Sequence, residues 1–427
     1  MPVITKYEHE YLNTKELDNN EFEKIKKFIL ITNERYEENG QEKPFEVVLN
    51  NGSEAIKFKQ YVGLFEYDDN KYLEILPKTY KNHTEASGRN LLIKMLLDLY
   101  DLQYKELEKT ILNYTKKFTL WDVFIKLFTI EIQNIIKQGI NRKYIKIKEN
   151  NKYLKGKLVL PIHLNKNIFH KEKFFIEYFS YSTDIPENRL LKTALNYLKN
   201  KAISFELKKE INQQLFVFAD IPISENIHKE NIFIDRTFKH YVYAITLAKI
   251  FLNKKSFSPV LDQFSDEKDK SVSLLFDMNR LFEEYVANRI RKKYTSVDLT
   301  TQEQKYYIGN IISDNNKEKN LFKIKPDVVI RFDNLIYILD TKWKIINESD
   351  IQNNFNISQG DIYQVFTYGN IYRLKENKGI KLFLIYPKNE NFEKPIRIYI
   401  KQDISLEVVP YDIEKESYFF ERLGIDQ

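Results

Sequence analysis

The run Leu321 to Lys344, LFKIKPDVVIRFDNLIYILDTKWK, leaves this part of the chain few ways to fold. Val328 to Phe332 and Leu335 to Leu339 are short runs of β-branched and aromatic residues, the composition of strands. Between them, Asp333 and Asn334 suit the positive φ angles of a tight turn, so the sequence predicts a β-hairpin. With a two-residue loop Phe332 faces Leu335, and the antiparallel register then sets Asp327 opposite Asp340. Directly opposed residues have Cβ atoms about 4.5 to 5.5 Å apart on one face of a sheet. Two bare carboxylates about 5 Å apart repel by roughly 3 kcal/mol at an effective dielectric near 20. A divalent cation between them converts that repulsion into coordination by hard oxygens, the ligands that magnesium favours and manganese also accepts. Strand periodicity places Lys342 on the same face as both acids. An ammonium there can position an attacking water or offset negative charge in a transition state.

Pro326, Asp327, Asp340, Thr341 and Lys342 thereby resemble the PD-(D/E)xK nuclease pattern, with aspartate in the variable acidic place. Pro-Asp followed by Asp-x-Lys also arises by chance in a chain rich in Asp and Lys, as a hairpin with solvated charges at its rim. The opposed register and the apolar run LIYILD favour the functional reading, because charges turned inward on such a strand are paired or metal-bound.

A length of 427 residues predicts two or three domains. The net charge of +6 is compatible with a polyanionic partner without demanding one. The absence of cysteine excludes disulfides, thiolate nucleophiles and cysteine zinc sites. No basic start followed by an apolar core opens the chain, and YVYAITLAKIFL is too short to span a bilayer, so the expectation is a cytoplasmic protein with no membrane segment.

The expected fold is multidomain α+β. Residues 1–265 would form an N-terminal β-rich and helical partner-binding region, and residues 266–427 a C-terminal α/β domain with a mixed central sheet flanked by helices. Within the first, a helix is expected around Glu21 to Ile31, a small β domain at about 45–80, and a helical and strand region at about 87–255. That region would open with two long helices over 87–140, whose apolar faces carry Leu92, Met95, Leu96 and Tyr100, then Trp121, Phe124, Ile125, Phe128 and Ile132. A strand pair, YIKIKEN and KYLKGKLVLP, follows, and Lys155, Gly156 and Lys157 read as an exposed turn or a phosphate contact. His163 and His170 have no acidic or cysteine partner at metal-binding spacing. Asp184 and Arg189 would pair locally where the helix after Pro186 begins. The polar stretch FSPVLDQFSDEKDK is the candidate linker.

In the C-terminal region a helix from Asp277 to Tyr294 offers Glu283 as a third acid and metal ligand, with Glu284 as its rival and a solvated position as the alternative for both. The helix DIYQVFTYGNIYRLKE could aim Gln364 at the site, or carry it on the surface. No Gly-Lys-Ser/Thr phosphate loop is present, which argues against an autonomous motor.

Laid out in order, the blocks YVGLFEY, LEILPK, YLKGKLVL, STDIPENRLLKTAL, DMNRLFEEYV, KPDVVI with ILDTKWK, and DIYQVFTYG resemble the McrC family, the nuclease subunit of McrBC-type restriction systems. The resemblance runs from about residue 60 to 390. It implies a subunit that binds and stimulates a hexameric AAA+ GTPase of McrB type and cuts double-stranded DNA with its C-terminal domain, the partner recognising modified cytosine. It makes Asp327 and Asp340 magnesium ligands, Lys342 the catalytic lysine, and Glu283 and Gln364 supporting residues. Two other readings stay open: a non-catalytic activator of an AAA+ motor, and a stand-alone repair nuclease with the same core.

Overall fold

The computed structural model describes the backbone of residues 3–68, 71–78, 84–99, 108–224, 232–252, 261–262, 273–295, 297–312, 318–400, 404–415 and 419–421. The chain divides into two compact units, residues 2–120 with 258–427, and residues 121–257.

The first unit opens with β1 (Val3–Tyr7), β2 (Tyr11–Asn13) and α1 (Asn19–Glu38), whose N-terminus is capped by Asp18, accepting from the Glu21 amide at 2.8 Å. β3 (Phe45–Asn50) and β4 (Ser53–Phe58) follow, joined through Asn51 and Gly52, both with the positive φ that such a pair tolerates. Next come β5 (Tyr61–Asp68), β6 (Lys71–Leu76), α2 (Glu85–Leu99) and α3 (Glu108–Lys117). The single small sheet expected at 45–80 is two: β3 and β4 join β2, while β5 and β6 join β1.

Three helices, α2, α3 and α4 (Leu120–Gln138), replace the two expected over 87–140. A new helix starts at Leu120 because its amide donates to the buried Glu74 carboxylate at 2.8 Å, which Arg89 grips in turn at 2.6 Å. The residues placed on the apolar faces are buried, apart from Tyr100, which lies outside the described residues.

Most of α4 belongs to the second unit, with β7 (Lys143–Asn151), β8 (Lys157–Leu158), α5 (Leu160–Lys166), β9 (Phe174–Ser182), α6 (Pro186–Lys201), α7 (Phe205–Val217) and α8 (Val242–Leu252). YIKIKEN and KYLKGKLVLP do not pair with each other; both pair with β9. β9 offers β7 a partner along its whole length, whereas the second segment reaches only Leu158 before Pro161 lies in the first turn of α5.

The chain then returns to the first unit with β10 (Leu261–Asp262), β11 (Ser273–Asp277), α9 (Met278–Lys293), β12 (Asp298–Thr301), β13 (Tyr307–Ile312) and β14 (Glu318–Lys323). It ends with β15 (Val328–Arg331), β16 (Leu335–Thr341), α10 (Gln359–Glu376), β17 (Gly379–Pro387), β18 (Ile396–Ile400) and β19 (Ile404–Tyr411). β11 pairs antiparallel with β5, so the sheet β1-β6-β5-β11-β10 is made from segments about 200 residues apart. The expected boundary at 265/266 therefore does not separate two bodies: residues 2–120 share a unit with the C-terminal region, and 121–257 form the other. Except for Leu261 and Asp262, the expected linker lies outside the described residues.

The C-terminal sheet is mixed, in the order β12-β15-β16-β17-β19-β18. β16 and β17 run parallel, linked by α10, which packs on both, and α9 packs on β16. Val329, Ile338, Val365, Tyr372, Leu382 and Leu406 belong to its buried core. β15 and β16 form the expected hairpin in the expected register, Val328 against Leu339 and Arg331 against Ile336. Its turn differs, because neither Asp333 nor Asn334 has a positive φ. Turn carbonyls are tied sideways instead, Phe332 O to Lys378 Nζ at 2.9 Å and Asn334 O to the Gly379 amide at 3.0 Å. Among the described residues no helix is long and apolar enough to cross a membrane.

Candidate active site

The register that pairs Val328 with Leu339 carries Asp327 and Asp340 to one end of the hairpin, where both are buried, Asp340 fully. One oxygen of Asp327, Oδ2, accepts hydrogen bonds from the Thr341 amide (2.7 Å) and hydroxyl (2.8 Å). Lys342 forms an ion pair with Asp340 Oδ2. Asp340 Oδ1 is buried and accepts no hydrogen bond. Burial pushes both carboxyls up to about 7, reinforced at Asp327 by the Glu283 charge and at Asp340 by Asp327 itself. Burial lowers the Lys342 pKa, but Asp340 and then Asp327 outweigh it, so the ammonium is held charged.

The Glu283 carboxyl, on α9, lies beside Asp327, and burial raises its pKa. The rival Glu284 is raised by burial too, but the charges acting on it are Arg280 and Lys325, and neither aspartate. The structure thus brings Glu283 to the pair and leaves Glu284 beside it. Gln364 points along α10 to Tyr368, its Nε2 donating to the phenol oxygen at 2.8 Å, and that hydroxyl donates to Lys325 O at 3.3 Å. Tyr368 feels Asp340, Asp327 and Lys342, so Gln364 reaches the site through it.

Three neighbours are given no role by the sequence. Thr341 stands inside the motif, and strand alternation assigns it to the opposite face, yet its amide and hydroxyl fix Asp327. Asp361, at the start of α10, accepts from Lys344 (2.8 Å) and Tyr386 (3.0 Å) and adds negative charge near Asp340. Glu8, in a stretch the sequence left without a role, accepts from Trp343 Nε1 at 2.8 Å and from the Lys78 amide at 2.8 Å. It thereby holds the residue after Lys342. No local pattern announces a contact between positions 8 and 343.

Among the described residues no three His, Cys, Asp or Glu side chains converge as a metal cluster, so Glu283, Asp327 and Asp340 are not brought together as three ligands of one ion. Glu283 is engaged with Asp327 instead. Two carboxylates do fit magnesium, which keeps most of its waters and takes one or two protein carboxylates plus substrate phosphate. The unpartnered Oδ1 of buried Asp340 is the acceptor such an ion would satisfy.

This electrostatic state has a measurable consequence. The two raised aspartates hold protons in the folded chain that the unfolded chain releases. Their contribution to stability is complete below about pH 4 and lost as pH rises through about 7, at about 1.4 kcal/mol per pKa unit. In chelator, the melting temperature should fall by several degrees between about pH 5 and pH 8. Magnesium should restore it at the upper end and do little at the lower, since binding needs the carboxylates deprotonated. A melting temperature indifferent to both variables would rule this picture out.

The remaining candidates lie in the 121–257 unit. Arg189 Nε donates to Asp184 at 2.5 Å where α6 begins, and Asn188 donates to the carbonyls of Asn141 (2.9 Å) and Thr183 (2.8 Å). Lys155 lies over the Tyr178 ring at 4.0 Å. His163 Nδ1 is hydrogen-bonded with Asn167 at 2.9 Å, and His170 sits by Glu172 on the surface.

The family model for the McrBC 5-methylcytosine restriction system component matches residues 56–387. A search of curated proteins finds no match. Among solved structures, the fold is similar to a chain of the refined half-complex from a tetradecameric assembly of Thermococcus gammatolerans McrB AAA+ hexamers with bound McrC. That match has a TM-score of 0.72 and 18% identity and covers 96% of this chain and 95% of the other. A chain of the Thermococcus gammatolerans McrBC complex determined by cryo-EM matches with a TM-score of 0.51 and 22% identity, over 68% of this chain and 87% of that one.

Proposed function

Because the chain belongs to the family of McrBC 5-methylcytosine restriction system components, we propose that it is the magnesium-dependent endonuclease subunit of such a system. The observation that carries this reading is the buried pair Asp327 and Asp340 at one end of the hairpin, with Lys342 against Asp340. The mixed sheet flanked by α9 and α10 is read as a PD-(D/E)xK core.

Asp327 and Asp340 would hold the ion, which when bound offsets charge on the scissile phosphate and acidifies water. Thr341 fixes the Asp327 carboxylate in orientation through two hydrogen bonds. Lys342 pairs with Asp340 and would offset the charge that develops on a phosphate oxygen. Glu283 holds Asp327 from the α9 side, and Gln364 with Tyr368 closes the α10 side.

The partner in this reading is a hexameric AAA+ GTPase like the McrB hexamers of the similar structure. Double-stranded DNA carrying 5-methylcytosine is the substrate. The partner-binding role expected for residues 1–265 is assigned to the 121–257 unit, where Tyr144, Tyr153, Phe169, Phe179, Phe205 and Phe216 are all exposed.

The test is a cleavage assay with the purified chain, its AAA+ partner, GTP and methylated duplex. Cutting should require magnesium or manganese and stop with chelator. Cutting that survives chelation, or none with either metal while the partner hydrolyses GTP on bound DNA, would overturn the proposal.

A further inference from the structure

Among the described residues β13 and β14 pair only with each other, as a ribbon outside both larger sheets, with Tyr307 opposite Lys323 and Ile311 opposite Lys319. Nearly every side chain on it is exposed, including Ile308, Ile312 and Phe322. A lone two-stranded ribbon is marginal in water, so its retention calls for a firm root or a partner surface.

The root is firm. Ile324, just after β14, is buried and donates its amide to Tyr306 O at 3.0 Å. The Tyr306 ring meets Tyr372 edge-on at 5.0 Å, and its hydroxyl donates to Glu376 at 3.0 Å, a carboxylate that Arg331 also grips at 2.9 Å. Both legs stem from the active site: the Gln302 amide, before the ribbon, donates to Asp327 O at 2.9 Å, and β14 ends four residues before Asp327. Four residues span at most about 14 Å.

The arm itself is laid out for a polyanion with an apolar interior. On β14, Lys319 and Lys323 flank Asn320, Leu321 and Phe322, with Glu318 at the start of the strand, and Lys325 lies exposed between its end and Asp327. Phe322 has φ +57°, a left-handed conformation that costs a bulky residue energy, yet the residue is 73% exposed. Strained backbone positions cluster at active sites, ligand clamps and switch regions. Six residues per strand give an arm of about 20 Å, and the DNA major groove, about 12 Å wide, admits a two-stranded ribbon.

We infer that β13 and β14 form a DNA-gripping arm, which rises from both sides of Asp327 and holds the duplex next to the scissile phosphate. Lys319 and Lys323 meet the backbone phosphates, and Phe322 packs against the sugars or base edges. This rests on the nuclease reading and adds a binding element to it.

The experiment uses the full chain in chelator and a labelled duplex of about two helical turns, titrated by fluorescence anisotropy over a range of salt. Lys319→Ala with Lys323→Ala should weaken binding equally for methylated and unmethylated duplex, and flatten the slope of log K against log salt by about 2. Phe322→Ala should weaken binding and leave that slope unchanged. Because the ribbon lies outside the core, the melting temperature should stay the same. Unchanged affinity and slope in the double variant, or no binding by the unsubstituted chain at low salt, overturns the inference. So does a shift from dimer to monomer with DNA binding intact, which would make the arm a contact between copies. Asp340→Asn separates the two claims: normal cleavage by that variant sinks the nuclease reading, whereas a loss of cutting with binding intact leaves the arm to be judged by the lysines.

Discussion

Asp340→Asn should cut DNA at least about a thousandfold more slowly than the unsubstituted chain in the assembled complex, a loss of about 4 kcal/mol of transition-state stabilisation. The substitution keeps the shape of the side chain but removes the charge an ion needs. Asp340 is fully buried, with Oδ1 unpartnered and Lys342 against Oδ2. Folding should survive, and near pH 8 the variant should melt at or above the temperature of the unsubstituted chain, because a buried carboxylate raised to about 7 opposes folding there. Stimulation of the partner's GTP hydrolysis should also persist. Retained cleavage, or activity and folding lost together, would mean Asp340 is a packing residue and the hairpin is not the reacting centre.

The second large effect is on stability. Gly63→Ala should destabilise the chain by about 4 kcal/mol or more, read as a fall in urea midpoint or as failure to accumulate soluble protein. Gly63 has φ +139°, and an added Cβ would stand 1.9 Å from Leu274 O, inside the β5 to β11 pairing. Neither backbone can yield without parting those strands. Gly88→Ala is the control: it lies in α2, and its Cβ would meet Leu76 no closer than 3.4 Å. Helix propensity predicts neutrality or a gain of about 0.5 to 1 kcal/mol there. If Gly63→Ala melts like the parent, the seam between β5 and β11 does not hold the unit together.

The hairpin was legible because its information is local. Alternation and a two-residue loop fix the register within twenty residues, and that register carries Asp327 and Asp340 to one end of the hairpin, with Lys342 against Asp340. Glu283 was a candidate because a helix beside such a nuclease site commonly supplies a carboxylate; helix spacing set it on a face next to the apolar one and does not say whether it meets an ion or another carboxylate. The turn was misread because its geometry is set by Lys378 and Gly379, which arrive from elsewhere in the chain. The same limit hid the pairing of β11 with β5, of β7 with β9, and the reach of Glu8 to Trp343. In each case the partner is chosen by packing between distant segments. The ribbon of β13 and β14 did carry a local signal, Asp314, Asn315 and Asn316 between two β-prone runs.

The shared sheet of β1, β5, β6 and β11 also bears on how such a gene can change over time. Shortening the chain from its C-terminal side past β11 would strip β5 of a neighbour and leave a bare edge prone to sticking to other molecules. The middle of the chain, by contrast, departs from one body and returns to it. Insertions, losses and exchanges between relatives are best tolerated in that excursion, while the flanking segments must evolve in step with each other.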